Sequence, residues 1–220
     1  MRIERPSFVR TLSVRSWSVG GERALVEILE PAKEEGISSL RIDDQMWNYL
    51  PKVDQVVRVP TSLMLQGWMG SDFTNDDLMK ASSFSRDYRH RITGTEQTQG
   101  EKTVVIECTP KPGSPVVWGR VKYWARVSDY LPVKQAFYDD RRKLVRTIEF
   151  SRFKKMDNRT VPTVLRVTKA GTGERTSVMY QKVIYDREIP DKQFNKENIR
   201  AISQNGRVKT AGWFLSPRIN

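Results

Sequence analysis

Short runs of β-branched and aromatic residues, each closed by a turn signal, constrain the fold of this chain more than any other feature. In the second half the turn signals are Ser128-Asp129, Asp139-Asp140, Asp157-Asn158 and Gly171-Thr172-Gly173. Runs of this length with hairpin-sized gaps are typical of antiparallel strands. We therefore predict strands at 103–109, 117–127, 132–138, 144–154, 161–169 and 175–185.

The first half shows the same pattern up to residue 60. It predicts five further strands, at 7–19, 23–30, 38–42, 46–50 and 55–59. The segment 23–30 has the propensity for a short helix, but Gly20-Gly21 before it and Pro31 after it favour a strand. A further strand is predicted at 85–94, and short helical segments around 76–81 and 191–200.

About eleven strands in one meander predict a mainly β protein of the α+β kind, built on a strongly curved antiparallel sheet or a partly open barrel. The length of 220 residues suits one domain over 1–220, with a core at about 8–200 and a tail at 201–220 that is flexible or strand-like. The hydrophobic share of 38% is low, as expected when alternate residues of a sheet face water.

The charge balance favours an anionic partner. The formal net charge is +12, which suits a phospholipid surface, a nucleic acid or an acidic protein, and which also serves solubility. Cys108 is the single cysteine, so it has no partner for an internal disulfide, and its strand context predicts a small buried hydrophobe. No run of about 18 apolar residues is present, so no membrane-spanning helix is predicted.

Residues 61–73 break the strand pattern. The segment is rich in large apolar side chains without a clean period, and Gly67 and Gly70 permit tight backbone geometry within it. Such a segment either fills the fold as core or covers a site for an apolar ligand. Thr74-Asn75-Asp76-Asp77 then reads as the capped start of a short helix. The apolar residues of the segment are Leu63, Met64, Leu65, Trp68, Met69 and Phe73.

Three motifs around this segment carry a family resemblance: M-W-x-Y-L-P from Met46, V-x-R-V-P-x-S from Val56, and W-M-G-S-D-F-T-x-x-D-L from Trp68. Together they resemble the outer-membrane lipoprotein-sorting branch of the LolA-like superfamily, over roughly residues 8–200. The resemblance implies an unclosed β-barrel whose concave face is covered by short helices and a loop. Family members carry a signal peptide, and M-R-I-E-R-P has no apolar stretch of that kind. We therefore expect a mature or truncated chain that acts in the periplasm.

The resemblance implies a non-enzymatic periplasmic carrier that sequesters lipid, or the acyl chains of lipoproteins, for transport to the outer membrane. Its expected partners are an inner-membrane transporter complex, an outer-membrane acceptor and an anionic membrane surface. Gly67 and Gly70 are the predicted lid hinge and Arg58 the predicted lid latch. The predicted lipid-binding residues are Trp47, Tyr49, Leu63, Met64, Leu65, Trp68, Met69, Phe73 and Leu78. The alternative is a periplasmic accessory subunit of an export complex that uses the same fold to bind other proteins.

Other functional classes find little support in the residues. His90 is the single histidine, and no motif for a catalytic triad, a P-loop or structural zinc is present, so we predict neither catalysis nor a cofactor. Asp72, Asp76 and Asp77 do not have the spacing of a calcium-binding loop, and a capping role is favoured over a metal site. Aromatic and basic residues alternate in the strands near Trp124, as in proteins that bind single-stranded nucleic acid. A strand with one core face and one solvated face explains them better, and we predict no nucleic-acid partner.

Overall fold

The computed structural model describes residues 1–79, 83–114 and 116–205. These residues form two antiparallel sheets, three short α-helices and three 3-10 turns. The strands are β1 Arg2–Arg5, β2 Phe8–Thr11, β3 Ser13–Val19, β4 Arg23–Glu30, β5 Ser38–Ile42, β6 Gln45–Leu50, β7 Gln55–Arg58, β8 Tyr88–Thr98, β9 Glu101–Pro110, β10 Arg120–Arg126, β11 Pro132–Tyr138, β12 Leu144–Met156, β13 Arg159–Lys169 and β14 Arg175–Met179. The helices are α1 Asn75–Met79, α2 Ser83–Asp87 and α3 Lys196–Asn205, and the 3-10 turns are Thr61–Leu63, Trp68–Gly70 and Asp191–Phe194.

The larger sheet has nine strands in the order β2-β1-β14-β13-β12-β11-β10-β9-β8, and the smaller sheet has five in the order β3-β4-β5-β6-β7. Neither sheet closes on itself, because β2 and β8 are the edges of one and β3 and β7 the edges of the other. The prediction of a mainly β, unclosed antiparallel fold is confirmed. The strands divide into two sheets, however. β1 and β2 belong to the nine-stranded sheet, and the chain passes from it into the five-stranded sheet at the buried Leu12, between β2 and β3.

Several strand boundaries differ from the prediction. The segment 7–19 is split at Leu12, whose N–H donates to the carbonyl of Met1 (2.8 Å). The strand predicted at 85–94 is helix α2 followed by β8, which extends to Thr98. β1 is an additional strand that joins the first residues of the chain to β14. The segment 23–30 is the strand β4, as the flanking turn residues indicate.

The end of the last predicted strand has a local cause. β14 stops at Met179, and the Tyr180 N–H makes one more backbone bond, to the Thr163 carbonyl (2.8 Å). Further along, the segment binds the β12–β13 hairpin through side chains. The Tyr185 N–H donates to Asp157 (2.9 Å), and Arg159 forms a two-pronged pair with Asp186. The expected tail lies largely outside the described residues, since the description ends within α3, at Asn205.

The core consists of three main apolar clusters. The first lies on one face of the nine-stranded sheet and includes Phe137, Ile148 and Val167. The second joins strands of both sheets, with Ile3 from β1 and Met46 from β6 among its members. The third lies on the opposite face of the five-stranded sheet, because neighbouring residues of a strand point to opposite sides. This third cluster is covered by residues of the last 3-10 turn and α3.

Candidate functional site

The candidate site is built around the insert, defined as residues 61–79, which follows β7, ends with α1 and belongs to neither sheet. Its backbone is held mostly by its own hydrogen bonds: the Trp68 N–H donates to the Phe73 carbonyl (2.6 Å), and Gly67 pairs with Thr74 in an isolated bridge. Residues 67–74 therefore form a compact closed turn inside the insert.

Two glycines and one methionine make this turn possible. A Cβ on Gly67 would lie 2.1 Å from the Ser71 carbonyl oxygen, so the chain can pass there only without a side chain. Gly70 has a φ of +74° and Met69 a φ of 49°, both in the left-handed region. Met69 is a non-glycine residue in that region, which is uncommon. Both predicted hinge glycines thus occupy positions that restrict their replacement.

The helix α1 begins with the predicted cap. Thr74 Oγ1 accepts from the Asp77 N–H (3.2 Å), and Asp77 Oδ2 accepts from the Thr74 N–H (2.7 Å). This reciprocal pair is a capping box, with aspartate in the place of the usual glutamate. It fixes the Asp77 carboxylate beside the start of the helix and leaves it facing the nine-stranded sheet.

The apolar side of the insert packs into the fold. Trp68 is 2% exposed, and its indole Nε1 donates to Ser39 Oγ on β5 (2.8 Å). Of the predicted lining residues, those that join the cluster shared by both sheets are Leu63, Met64, Trp68, Met69 and Leu78. The insert thus fills the space between the sheets with its own side chains.

The other predicted lining residues lie elsewhere. Phe73 packs against the apolar cluster of the nine-stranded sheet. Leu65 is 54% exposed, at the edge of the insert. Trp47 and Tyr49 lie on β6 and belong to the third cluster, under the residues of α3, rather than to the cluster of the insert. The structure therefore brings most of the predicted set together and places these last two on the other face of the five-stranded sheet.

Three arginines bind the backbone carbonyls of residues 69–72 in the insert. Arg10 Nη1 donates to the Met69 carbonyl (2.8 Å), Arg5 Nη2 to that of Gly70 (2.7 Å), and Arg146 Nη1 to the Asp72 carbonyl (3.0 Å). An irregular segment inside a fold leaves carbonyl groups without strand or helix partners, and such groups are costly to bury unpaired. The guanidinium groups supply the missing donors.

The same arginines pair with carboxylates. Arg5 binds Asp72 of the insert (2.9 Å), and that carboxylate also accepts from Thr176 Oγ1 on β14 (2.7 Å). Arg10 pairs with Glu34 in the loop after β4. Asp72 is therefore tied to the nine-stranded sheet by two side chains, which fits a structural role for this acid.

Arg146 is the most enclosed of the three. It is 3% exposed and forms a two-pronged pair with Asp77, with Nη1 at 2.6 Å from Oδ2 and Nη2 bonded to Oδ1. Its guanidinium carbon lies 4.8 Å from the ring centre of Trp118 and 4.4 Å from that of Phe137. Such distances are typical of cation–π contacts. The guanidinium thus packs against two aromatic rings, whose centres lie 5.2 Å from each other.

The predicted latch, Arg58, is exposed on the edge strand β7, where it pairs in register with Trp47. The arginines that bind the carbonyls of residues 69–72 are instead on β1, β2 and β12. Arg10 pairs in register with the buried Ile3. A signal for the other two existed in the sequence, because each lies two residues from a core residue of the same strand: Arg5 from Ile3 and Arg146 from Ile148. Residues two apart on a strand share a face, so these arginines point inward.

A cleft of about 280 Å³ lies between the insert and the nine-stranded sheet. Its apolar wall includes Leu65, Val117, Trp118 and Val145, and its polar wall includes Asp72, Asp139, Arg146 and Lys169. This volume is just below the range of about 300–1,000 Å³ that is usual for small-molecule sites. The cleft thus combines an apolar surface with the guanidinium of Arg146.

Away from the insert, the titratable side chains that the structure describes do not form a reactive centre. Burial raises the pKa of the Cys108 thiol to about 11, so the thiol stays protonated near neutral pH. His90 pairs with Cys108 in register but is exposed on the edge strand β8. Among the described residues, no group of three or more His, Cys, Asp or Glu side chains is arranged to hold a metal ion. In the same part of the chain, no helix is long and apolar enough to cross a membrane.

Comparison with solved structures defines the class of this fold. A DUF1329 family protein from Desulfovibrio piger is similar with a TM-score of 0.82 and 27% identity, over 90% of this chain and 88% of that one. A LolA superfamily protein from Nitrosomonas europaea is similar with a TM-score of 0.72 and 28% identity, over 90% and 87%. A putative outer membrane lipoprotein-sorting protein domain from Vibrio parahaemolyticus has a TM-score of 0.76 and 21% identity, over 90% and 88%. The fold is LolA-like, as the motifs predicted.

The family follows from the sequence itself. A family model described as "Uncharacterized protein" matches residues 20–201, which includes the whole insert, and the chain belongs to that family. No curated protein sequence matches the chain.

Proposed function

We propose that this protein is a non-enzymatic carrier that sequesters lipid, or the acyl chains of lipoproteins, in the periplasm on the way to the outer membrane. An inner-membrane transporter complex would load it and an outer-membrane acceptor would unload it, with an anionic membrane surface as a further contact. The relatives named as lipoprotein-sorting and LolA superfamily proteins point to this class.

The observation that carries the proposal is the position of the insert. An apolar, methionine-containing segment fills the space between two sheets but is part of neither, and a cleft lies beside it. Methionine side chains adapt to apolar partners of differing shape. Ligand entry would then replace one apolar filling by another, with the sheets as a fixed frame.

The energies of such an exchange are of similar size. An acyl chain gains about 0.8 kcal/mol for each buried CH₂, so fifteen such groups contribute roughly 12 kcal/mol. In the insert, the buried Trp68 contributes about 1.5–3 kcal/mol and the four half-buried apolar side chains about half as much each, or roughly 4–9 kcal/mol together. Because the two sums are comparable, a chain can displace the insert without a large net cost, and release is possible for the same reason.

A second candidate rests on the same packing. Trp68 is nearly fully buried and hydrogen-bonded to Ser39, so the insert completes the core without any ligand. A protein of this kind would serve as a periplasmic accessory subunit of an export complex, with the fold used for protein–protein contact. Ligand binding separates the two candidates.

The test uses protein purified from cells without detergent, analysed by native mass spectrometry with lipid extraction, and then titrated with a synthetic diacylated lipopeptide. Leu65→Asp places a charge at the cleft on a residue that is already half exposed, so the fold should tolerate it. Ile92→Asp is the matched control, since Ile92 is 69% exposed on β8, away from the cleft residues.

If the protein is a carrier, the wild type and Ile92→Asp should bind the lipopeptide with similar affinity. Leu65→Asp should bind it at least tenfold more weakly. A wild-type protein that is isolated empty and also refuses the lipopeptide would overturn the carrier and leave the accessory subunit. Equal binding by all three proteins would place the ligand away from the cleft.

A further inference from the structure

We infer that the cleft selects an amphiphile with a negatively charged head group, and that this head group replaces Asp77 on Arg146 when the insert moves. The inference rests on the proposed carrier function and specifies its ligand: one anionic group, carboxylate or phosphate, attached to an alkyl chain. Arg146 is the receptor for the head group, and Asp77 is a built-in competitor for it.

The two partners of this ion pair differ in how firmly they are held. Arg146 lies on β12, which has β11 on one side and β13 on the other, and its guanidinium packs against the rings of Trp118 and Phe137. Asp77 lies on α1, a helix of five residues within the insert. If the insert shifts, the guanidinium therefore stays in place while the carboxylate leaves.

A departing Asp77 would leave Arg146 as a buried cation, because this residue is 3% exposed. An uncompensated buried charge is strongly unfavourable, whereas a new anion in the same place restores the pair. Arg146 also has a spare donor, since its Nε has no hydrogen-bond partner among the described residues. A neutral head group cannot compensate the charge, so the site discriminates in favour of anions.

The apolar wall of the cleft lies next to this guanidinium. Leu65, Val117 and Val145 line the same cleft as Arg146, so an alkyl chain can continue directly from a head group bound there. Lys169 lines the cleft as well but pairs with Glu174 (3.3 Å), and Asp72 and Asp139 are further charged lining residues. The attraction for an anionic head group therefore rests on Arg146. At about 280 Å³ the cleft holds a head group and the first part of one chain, and the remainder requires displacement of the insert.

The test compares decanoate with decan-1-ol, which have the same number of carbon atoms and differ in charge. Binding is measured by equilibrium dialysis at pH 7.5, below the micelle concentration, for the wild type and for Asp77→Asn. We expect the wild type to bind decanoate at least tenfold more tightly than decan-1-ol. Asp77→Asn should bind decanoate at least tenfold more tightly than the wild type does, with less than a threefold change for decan-1-ol.

Asp129→Asn is the matched control. Asp129 pairs with Arg126 on β10, whose guanidinium carbon lies 3.9 Å from the ring centre of Phe153, near the opposite end of β12 from Arg146. The arrangement is therefore similar but more exposed. Removing this acid changes the net charge by the same amount as Asp77→Asn. Its affinity for decanoate should stay within a factor of two of the wild-type value.

The outcomes separate the two proposals. If the wild type binds neither compound and does not bind the lipopeptide either, both the carrier function and the selectivity for anions are overturned. If it binds decanoate and decan-1-ol equally, the carrier function stands and the anionic selectivity is overturned, whether or not Asp77→Asn folds. If Asp77→Asn gains affinity for both compounds, the substitution has only loosened the insert, and the exchange on Arg146 is again overturned.

Discussion

Replacement of Trp68 by alanine is the most direct test of how the insert is built into the fold. The side chain is 2% exposed and packs with residues of both sheets, among them Ile3 and Met46. Truncation of a buried tryptophan costs about 3–5 kcal/mol, because its contacts are lost and a cavity remains. About 1 kcal/mol of this belongs to the hydrogen bond from the indole Nε1 to Ser39. We therefore expect Trp68→Ala to lower the free energy of unfolding by about 3–5 kcal/mol.

The assay is urea unfolding followed by circular dichroism, with the midpoint and the m-value both fitted. The m-value should stay near that of the wild type, since the same surface becomes exposed on unfolding. A second measurement is the affinity for decan-1-ol. The void left by Trp68 lies in the cluster of the insert, so Trp68→Ala should bind this neutral compound more tightly than the wild type does.

Trp47→Ala is the comparison variant, because Trp47 is also a buried tryptophan but belongs to the third cluster, under α3. The structure predicts a similar loss of stability without a gain in affinity for decan-1-ol. The lining role predicted from the sequence for Trp47 requires a gain in both variants. A loss below about 1 kcal/mol for Trp68→Ala, together with a lower m-value, would refute the reasoning, since the insert would then undock independently of the core.

Three further predictions concern single residues. Gly67→Ala should lower the melting temperature more than Gly70→Ala does. The new Cβ at position 67 would lie 2.1 Å from the Ser71 carbonyl oxygen, whereas the left-handed conformation at Gly70 costs an alanine only about 1–2 kcal/mol. Equal falls in melting temperature would contradict this. Burial raises the pKa of Cys108 to about 11, so the unfolded thiol loses its proton first as the pH rises. Between pH 9 and 11, the free energy of unfolding measured in urea should therefore fall by about 2–3 kcal/mol more for the wild type than for Cys108→Ala. The same fall in both proteins would exclude the effect. Arg146→Lys keeps the charge but loses the two-pronged contact with Asp77, so we expect it to lower the free energy of unfolding by about 2–3 kcal/mol in the same assay. An unchanged free energy of unfolding would mean that the pair contributes only through its charge.

Most strands could be predicted from the sequence because their ends carry strong local signals. The Gly20-Gly21 turn and Pro31 identify β4 as a strand against its helix propensity, and this prediction is confirmed. The partition into two sheets carries no such signal. It depends on which strands pair over long distances, such as β1 with β14, and pairing is decided by the packed core rather than by local pattern.

The side chains of the candidate site were harder to predict than its backbone. The apolar insert and its capping box are visible as a break in strand periodicity followed by T-x-x-D, and the hydrogen bonds of Thr74 confirm the cap. The basic residues that contact the insert were not predicted, although Arg146 is in phase with Ile148 on β12. Arginine is rarely buried unless it is paired, so an arginine at an inward-facing position of a strand departs from the alternation of apolar and polar residues. In a sheet whose concave face is covered, such an arginine indicates a buried polar contact.

The three arginines explain how an irregular segment can be stable inside a β fold and still be replaceable. A strand inserted between the sheets would have its carbonyls bound by a backbone ladder, which no ligand could substitute. In the insert, the carbonyls of Met69, Gly70 and Asp72 are bound by guanidinium groups that reach in from strands of the nine-stranded sheet. A guanidinium donates hydrogen bonds to a carboxylate or a phosphate as readily as to a carbonyl, because its donors are directed outward in a fixed plane. An insert held in this way can give up its contacts one at a time to an incoming anionic ligand, while the sheets that carry the arginines remain intact.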